Sequence, residues 1–342
     1  MKIICSDCRK ILNIPNERLQ AFKTDIAIPC PNCNGKIEIS INKIRGPSSD
    51  TTDNQSMEHN TTSADKLKKR ILQEVNNLPP MPKVAEKARK ILSNPESSFN
   101  DLASVVEADQ AIATKVLRFA NSPLYATLGG VSSVQQASVV LGTKTLMEIL
   151  NMACASGILS GKLKGYDLDA GDLWQHSLAV ASGSRFIAKK RCPELSEAAF
   201  SAGLIHDVGK VILNPFIVEK KKALQNIINN KKGAFPMAEH EILGFDHAEI
   251  ASAVCDKWKI PSSISNAIKH HHAPIDENEN KLAYIIHIAD AVSMITGIGG
   301  GFDGLSYQID DRAMEFLQFE NTDIEILMIQ ISDCVNQMME TI

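Results

Sequence analysis

Eight of the nine histidines in this 342-residue chain lie beyond residue 170. His176, His206, His240, His247, His270, His271, His272 and His287 share that stretch with Asp207 and Asp290. Imidazole nitrogen with carboxylate oxygen is a donor set for iron, manganese or zinc. His206 and Asp207 stand inside the apolar run AFSAGLIHDVGKVIL, where a charged side chain must be paired or metal-bound to justify burial. Lys210 follows His206 by four residues and Asp207 by three, so one helix would place all three on a broad common face. Such side chains projecting from several helices into a bundle form a metal cradle. An ion there lowers the pKa of a bound water and directs it at phosphorus, with Lys210 stabilising the phosphate charge. The plainer reading of His206 and Asp207 is a buried hydrogen-bonded pair joining two helices. His240 and His272 read as surface histidines, and His287 as a satisfied core histidine.

A second group of ligand-type residues opens the chain. Cys5 and Cys8, then Cys30 and Cys33, form two CxxC pairs separated by 21 residues. Each pair can sit on a tight knuckle that aims two thiolates at one tetrahedral zinc ion, whose binding would fold a segment too small for its own apolar core. A four-thiolate site is closed, which points to interaction rather than catalysis. Redox pairs or disulfides are the alternative readings. Nucleic acid is the weaker partner for this segment, because Lys2, Arg9, Lys10, Arg18, Lys23 and Lys36 are interrupted by acids and lack interleaved aromatics beyond Phe22. Cys154, Cys192, Cys255 and Cys334 occur singly and read as small packed groups in a reducing compartment.

The elements that position these residues are helical. Residues 46–65 contain no Val, Ile, Leu, Phe, Tyr or Trp and read as a flexible linker between a zinc ribbon at 1–45 and a helical domain at 66–342. KIEISI in the ribbon suits a strand. Leu67, Ile71 and Val75 recur four apart before Pro79, and further helix-length segments follow, with breaks expected at Pro193, Pro215, Pro261 and Pro274. SVQQASVVLG and KTLMEILNMACASGIL read as a helix pair. The fold class is all-α after a small β-rich ribbon. The net charge of −4 leaves no bulk cationic field for nucleic acid or anionic lipid. No apolar stretch reaches membrane-span length and the N-terminus lacks a signal-peptide core, so the expected location is the cytoplasm, with no membrane partner.

WQHS, GLIHDVGK, GFDHAEI, AIKHHH and HIAD, in this order, resemble the HD superfamily of metal-dependent phosphohydrolases. Ahead of them, LPPMPKVAEKARKIL, DLASVVEADQAIATKVLRFANSPLY and VSSVQQASVVLG are similar to the HDOD domain, the HD-related output domain of bacterial signalling proteins, over about residues 70–290. The CxxC segment resembles zinc ribbons that precede such domains. The resemblance implies a two-lobed helical bundle in signal transduction that binds a signalling protein or small nucleotide. It also implies that His176, His206, Asp207 and Asp290 hold one metal, with Asp207 bridging to a second held by His247, His270 and His271. The glycine-tyrosine-proline signature of related cyclic-dinucleotide phosphodiesterases is missing from HHHAPIDENENK. Phosphohydrolysis of a nucleotide or phosphodiester, through Asp207 and Lys210, is the second reading.

Overall fold

Side-chain caps and prolines place most of the helix starts. The computed structural model describes residues 2–4, 11–13, 26–29, 36–39, 63–78, 82–94, 96–125, 130–231, 235–274, 280–299, 301 and 309–340. Contacts divide the chain into two units, Met1–Asn60 and Thr61–Ile342. In the first, strands β1 (Lys2–Ile4) and β2 (Ile11–Asn13) pair antiparallel, as do β3 (Ile26–Pro29) and β4 (Lys36–Ile39). Cys5, Cys8, Cys30 and Cys33 lie outside the described residues, as do residues 46–62 of the expected linker.

The second unit is helical among its described residues. Helix α1 (Ser63–Asn77) starts inside the expected linker and buries Ile71 and Val75. Four helices follow: α2 (Lys83–Leu92), α3 (Phe99–Glu107), α4 (Gln110–Ala120) and α5 (Val134–Leu159). A capping box starts α3: the Ser98 hydroxyl accepts from the Asp101 amide at 3.2 Å, and the Asp101 carboxylate accepts from the Ser98 amide at 2.8 Å. Asp109 caps α4 by accepting from the amides of Ala111 and Ile112. The two segments expected as a pair are the two helical halves of α5, which meet at a kink where the backbone of Gly142 leaves the helix with φ 82°, a value that suits a residue without Cβ.

The remaining helices carry the histidines. They are α6 (Asp172–Arg191), α7 (Ser196–Ile205), α8 (Val208–Lys231), α9 (Phe235–Leu243), α10 (His247–Lys257), α11 (Ser262–Lys269) and α12 (Lys281–Ile295), followed by α13 (Asp311–Phe316) and α14 (Asn321–Met339). A single apolar core joins the two groups of helices, with α5 packed on α7 and α8. Pro193 and Pro261 stand at helix starts as expected, but Pro215 lies inside α8. A mid-helix proline costs about 3 kcal/mol. Its neighbours Leu213, Phe216 and Ile217 are buried, each worth roughly 1.5–3 kcal/mol, so packing outweighs the lost hydrogen bond. No helix among the described residues is long and apolar enough to cross a membrane.

Candidate metal centre

His206 and Asp207 do not lie within one helix with Lys210, as the spacing suggests; they form the turn between α7 and α8. Beside this turn, a Cβ on Gly209 would fall 2.0 Å from the His247 carbonyl oxygen, so glycine lets the start of α8 press against α10. Lys210 still reaches back, its Nζ 2.8 Å from Asp207 Oδ2.

Around that turn the helices bring six of the expected residues together. His176 on α6 places Nε2 3.1 Å from Asp290 Oδ1 and 3.6 Å from Asp207 Oδ2. His206 Nε2 is 3.4 Å from Asp207 Oδ2 and 3.8 Å from Asp290 Oδ1. His247 is the first residue of α10, behind a capping box of Asp246 and Glu249, and its Nε2 is 3.3 Å from Asp207 Oδ1. His271 follows the end of α11 and packs its ring against those of His206 and His247. These residues form overlapping groups with ligand atoms within 4.8 Å of one another: His176, His206 and Asp207; His206, His271 and Asp290; and Asp207, His247, His271 and His272.

His270 is not in the cluster. It caps α11, half-buried, among Asp246, Glu249 and Lys269, and His272 stands inside instead, with its Nε2 2.6 Å from that of His247. The helical register ends at Lys269, so the three consecutive imidazoles leave it in different directions, and adjacency in sequence does not decide which enter. His240 is exposed near Glu249. His287 donates through Nδ1 to the His271 carbonyl at 2.8 Å and accepts the Asp310 amide at Nε2, a satisfied core histidine that also braces the His271 backbone.

The outer nitrogens explain what the inner ones present. Nδ1 of His206 lies 2.8 Å from the Gly203 carbonyl, that of His271 2.6 Å from the Ile268 carbonyl, and that of His176 3.3 Å from the Ile298 carbonyl. A carbonyl oxygen only accepts, so each Nδ1 is the donor and each ring turns its Nε2 inward. For His247 the outer partner is Glu239, whose carboxylate accepts from Nδ1 at 2.5 Å and from the His247 amide at 3.0 Å. Tyr166 donates its hydroxyl to the other oxygen of Glu239. Glu239 and His272 escape the sequence reading. The available signal for Glu239 was its place eight residues before His247, and the neighbouring His240 and Glu241 in the same helix mask it.

Burial and charge then set protonation. Burial opposes ionisation of Asp207, but His206, Lys210, His247 and His176 hold its carboxyl well below the usual range. Asp290 is likewise held down, against burial, by His176 and His206. Burial and then His206 push His271 down to about 3, and burial with its two histidine neighbours pushes His272 well below its ordinary value. Glu239 and Asp207 overcome burial at His247 and raise it to about 9. Two ionised carboxylates thus face imidazoles that are kept neutral at His271 and His272. His206 Nε2, His271 Nε2 and Asp207 Oδ1 are buried without a hydrogen-bond partner, a costly arrangement for a mere structural pair and the one a metal ion relieves. The donor set fits such an ion.

The HDOD domain model matches residues 78–274, more than half of the chain. The chain belongs to the HDOD family. The crystal structure of an HDOD domain protein from Geobacter sulfurreducens is similar at TM-score 0.66 and 23% identity, over 81% of this chain and 97% of that one. A candidate phosphohydrolase from Shewanella amazonensis SB2B reaches 0.61 at 23% identity, over 79% and 96%. A candidate signal transduction protein from Marinobacter aquaeolei VT8 reaches 0.60 at 20%, over 95% and 76%. At these identities the likeness is one of fold. A protein of Treponema pallidum (strain Nichols) is 22% identical over 212 residues, 62% of this chain, and the HDOD chain spans 40% of that relative's length.

Proposed function

We propose that this HDOD protein is a cytoplasmic signal-transduction protein that acts by binding a signalling protein or small nucleotide, with a resident metal ion in its histidine and aspartate cluster. The observation that carries the metal is the set of orphaned inward atoms, His206 Nε2, His271 Nε2 and Asp207 Oδ1. His176, His206, Asp207 and Asp290 hold one iron, manganese or zinc ion, and Asp207, His247, His271 and His272 provide a second place. The N-terminal Cys5, Cys8, Cys30 and Cys33 hold a separate structural zinc. Burial favours binding over turnover: side-chain exposure is 2% at Asp207, 0% at His206 and 13% at His272, so a phosphate has little surface to meet.

Metal-dependent phosphohydrolysis of a nucleotide or phosphodiester is the second reading, favoured by Lys210 beside Asp207. The ion would supply a polarised water; Lys210 would release Asp207 to neutralise phosphate, while His176 and Asp290 hold each other in place. The deciding experiment is elemental analysis of the anaerobically purified full chain, its Cys5→Ser/Cys8→Ser variant and its Asp207→Ala variant. The cysteine variant should lose zinc alone and Asp207→Ala should lose the second class of metal. Equal metal content in Asp207→Ala and the parent would reject the cluster as a metal centre. Turnover of a generic phosphodiester that disappears in Asp207→Ala would select the second reading.

A further inference from the structure

A half-open apolar cavity of about 250 Å³ lies between α2, α5, α7 and the turn from α10 into α11, and its mostly apolar lining selects no particular occupant. The polar side chains behind His247 are more specific. Helix α9 presents Phe235 and Glu239 four residues apart, on one face. Both meet Tyr166: the Phe235 ring lies 5.6 Å from the tyrosine ring, centre to centre, and Glu239 Oε1 accepts the tyrosine hydroxyl at 2.5 Å. Tyr166 and Glu239 are both fully buried. A glutamate carboxylate held at one oxygen can still turn about its last torsion, whose minima are broad. Here Tyr166 engages Oε1 while the ring and amide of His247 engage Oε2, so the carboxylate plane is fixed. With it is fixed the direction in which His247 aims Nε2.

The segment that delivers Tyr166 is itself braced. Between α5 and α6, Leu163 and Leu168 exchange backbone hydrogen bonds of 2.9 and 3.1 Å, and the Tyr166 amide donates to the Leu163 carbonyl at 3.1 Å. The Gly165 amide donates to Asn214 Oδ1 at 2.8 Å, and a Cβ on Gly165 would fall 2.8 Å from the Asn214 carbonyl oxygen, so this turn sits directly on α8. We infer, on the reading that the cluster holds metal, that Tyr166 is a positioning residue for the second metal place. It acts through Glu239 on His247, which shares that place with Asp207, His271 and His272. The first place orients its rings differently, His206 and His176 resting on the carbonyls of Gly203 and Ile298.

Manganese(II) titration of the metal-free full chain, with the free ion read by electron paramagnetic resonance, tests it. Manganese suits carboxylates better than thiolates, so the N-terminal cysteines do not compete. The parent should bind two ions. Tyr166→Phe keeps the ring and removes the hydroxyl, and should weaken the second ion about tenfold while leaving the first unchanged. Tyr125→Phe, which takes a hydroxyl from the Glu148 carboxylate elsewhere, should change neither. In a Glu239→Gln background, Tyr166→Phe should add little, since the two residues act as one chain. A readout without metal is the downfield ring N–H proton resonance of His247, identified by its loss in His247→Gln, which Tyr166→Phe should shift. Two ions bound with parental affinities in Tyr166→Phe overturn the inference and leave the metal reading standing. A parent that holds a single ion removes the second place and the inference with it, and one that binds neither manganese nor zinc overturns both readings. Should Tyr166→Phe not fold, Asn214→Ala, which removes the acceptor that holds Gly165 and keeps the hydroxyl, should weaken the second ion alone; parental affinities there overturn the inference equally.

Discussion

Two groups of charged residues in the helical unit, one half-buried and one buried, close their charge in different ways. At the first, the Glu148 carboxylate accepts the Tyr125 hydroxyl and pairs with Arg185, whose guanidinium lies 3.9 Å over the Phe200 ring. One anion meets one cation and one donor, and the result ties α5 to α6 and the chain after α4. At the second, two carboxylates and one lysine share space with five imidazoles that aim nitrogen inward, and three polar atoms are left over. What separates the second group from a brace is its surplus of inward-facing nitrogen and oxygen atoms over the donors that meet them, the pattern that could hold a metal.

That contrast can be broken by substitution. The largest stability effect belongs to the brace: Glu148→Ala should cost about 1.5–3 kcal/mol in urea unfolding, since it leaves the half-buried Arg185 without its carboxylate. Metal content per folded chain should stay at the parent value, and loss of metal in this variant would show that the two clusters are one. In the histidine cluster, Glu239→Gln should lower metal affinity about 10–100-fold by weakening the carboxylate that orients His247, read by competition with a chelator. An unchanged affinity would make Glu239 a packing residue only. His272→Ala should weaken retention in the same assay while His270→Ala, outside the cluster, stays at the parent value; the reverse ranking would restore His270 to the site.

The smallest effect concerns a neutral acid under the same burial. Cys154 and Cys255 are pushed up to about 12, chiefly by burial, from an ordinary 9.0. The native thiols therefore keep protons that the unfolded chain gives up above about pH 9, so their contribution to stability is intact below that pH and declines as pH climbs toward 12. The urea midpoint should fall between pH 8 and pH 10, and less so in Cys255→Ala; a midpoint that ignores Cys255→Ala removes the thiol from the account. Iodoacetamide at pH 8 should spare both residues in the native chain.

The helical class and most candidate ligands were legible because they depend on local signals. Ile71 and Val75 are buried as their spacing implies, and His176, His206, Asp207, His247, His271 and Asp290 meet around the α7–α8 turn. What was not legible depends on where the chain turns in space. No periodic rule extends beyond Lys269, so His270 and His272 could not be ranked. Beside the turn at His206–Asp207, Gly209 packs against the His247 carbonyl, a partner 38 residues away that spacing does not reveal. Pro215 is a local stop signal that tertiary packing overrides, and Glu239 resembles an ordinary surface glutamate until Tyr166 and His247 close over it.

The apolar cavity shares its scaffolding with the metal centre. Leu204 and Ile205 line the cavity and run directly into His206 and Asp207, while Ile264 lies on the helix that ends before His271 and His272. Two of its walls are thus the stems of four inward side chains. Linkage imposes a symmetry on such an arrangement: if filling the cavity changes metal affinity by some factor, the metal changes affinity for the cavity's occupant by that same factor. Metal and cavity occupant would then bias each other's retention although no side chain lines both places.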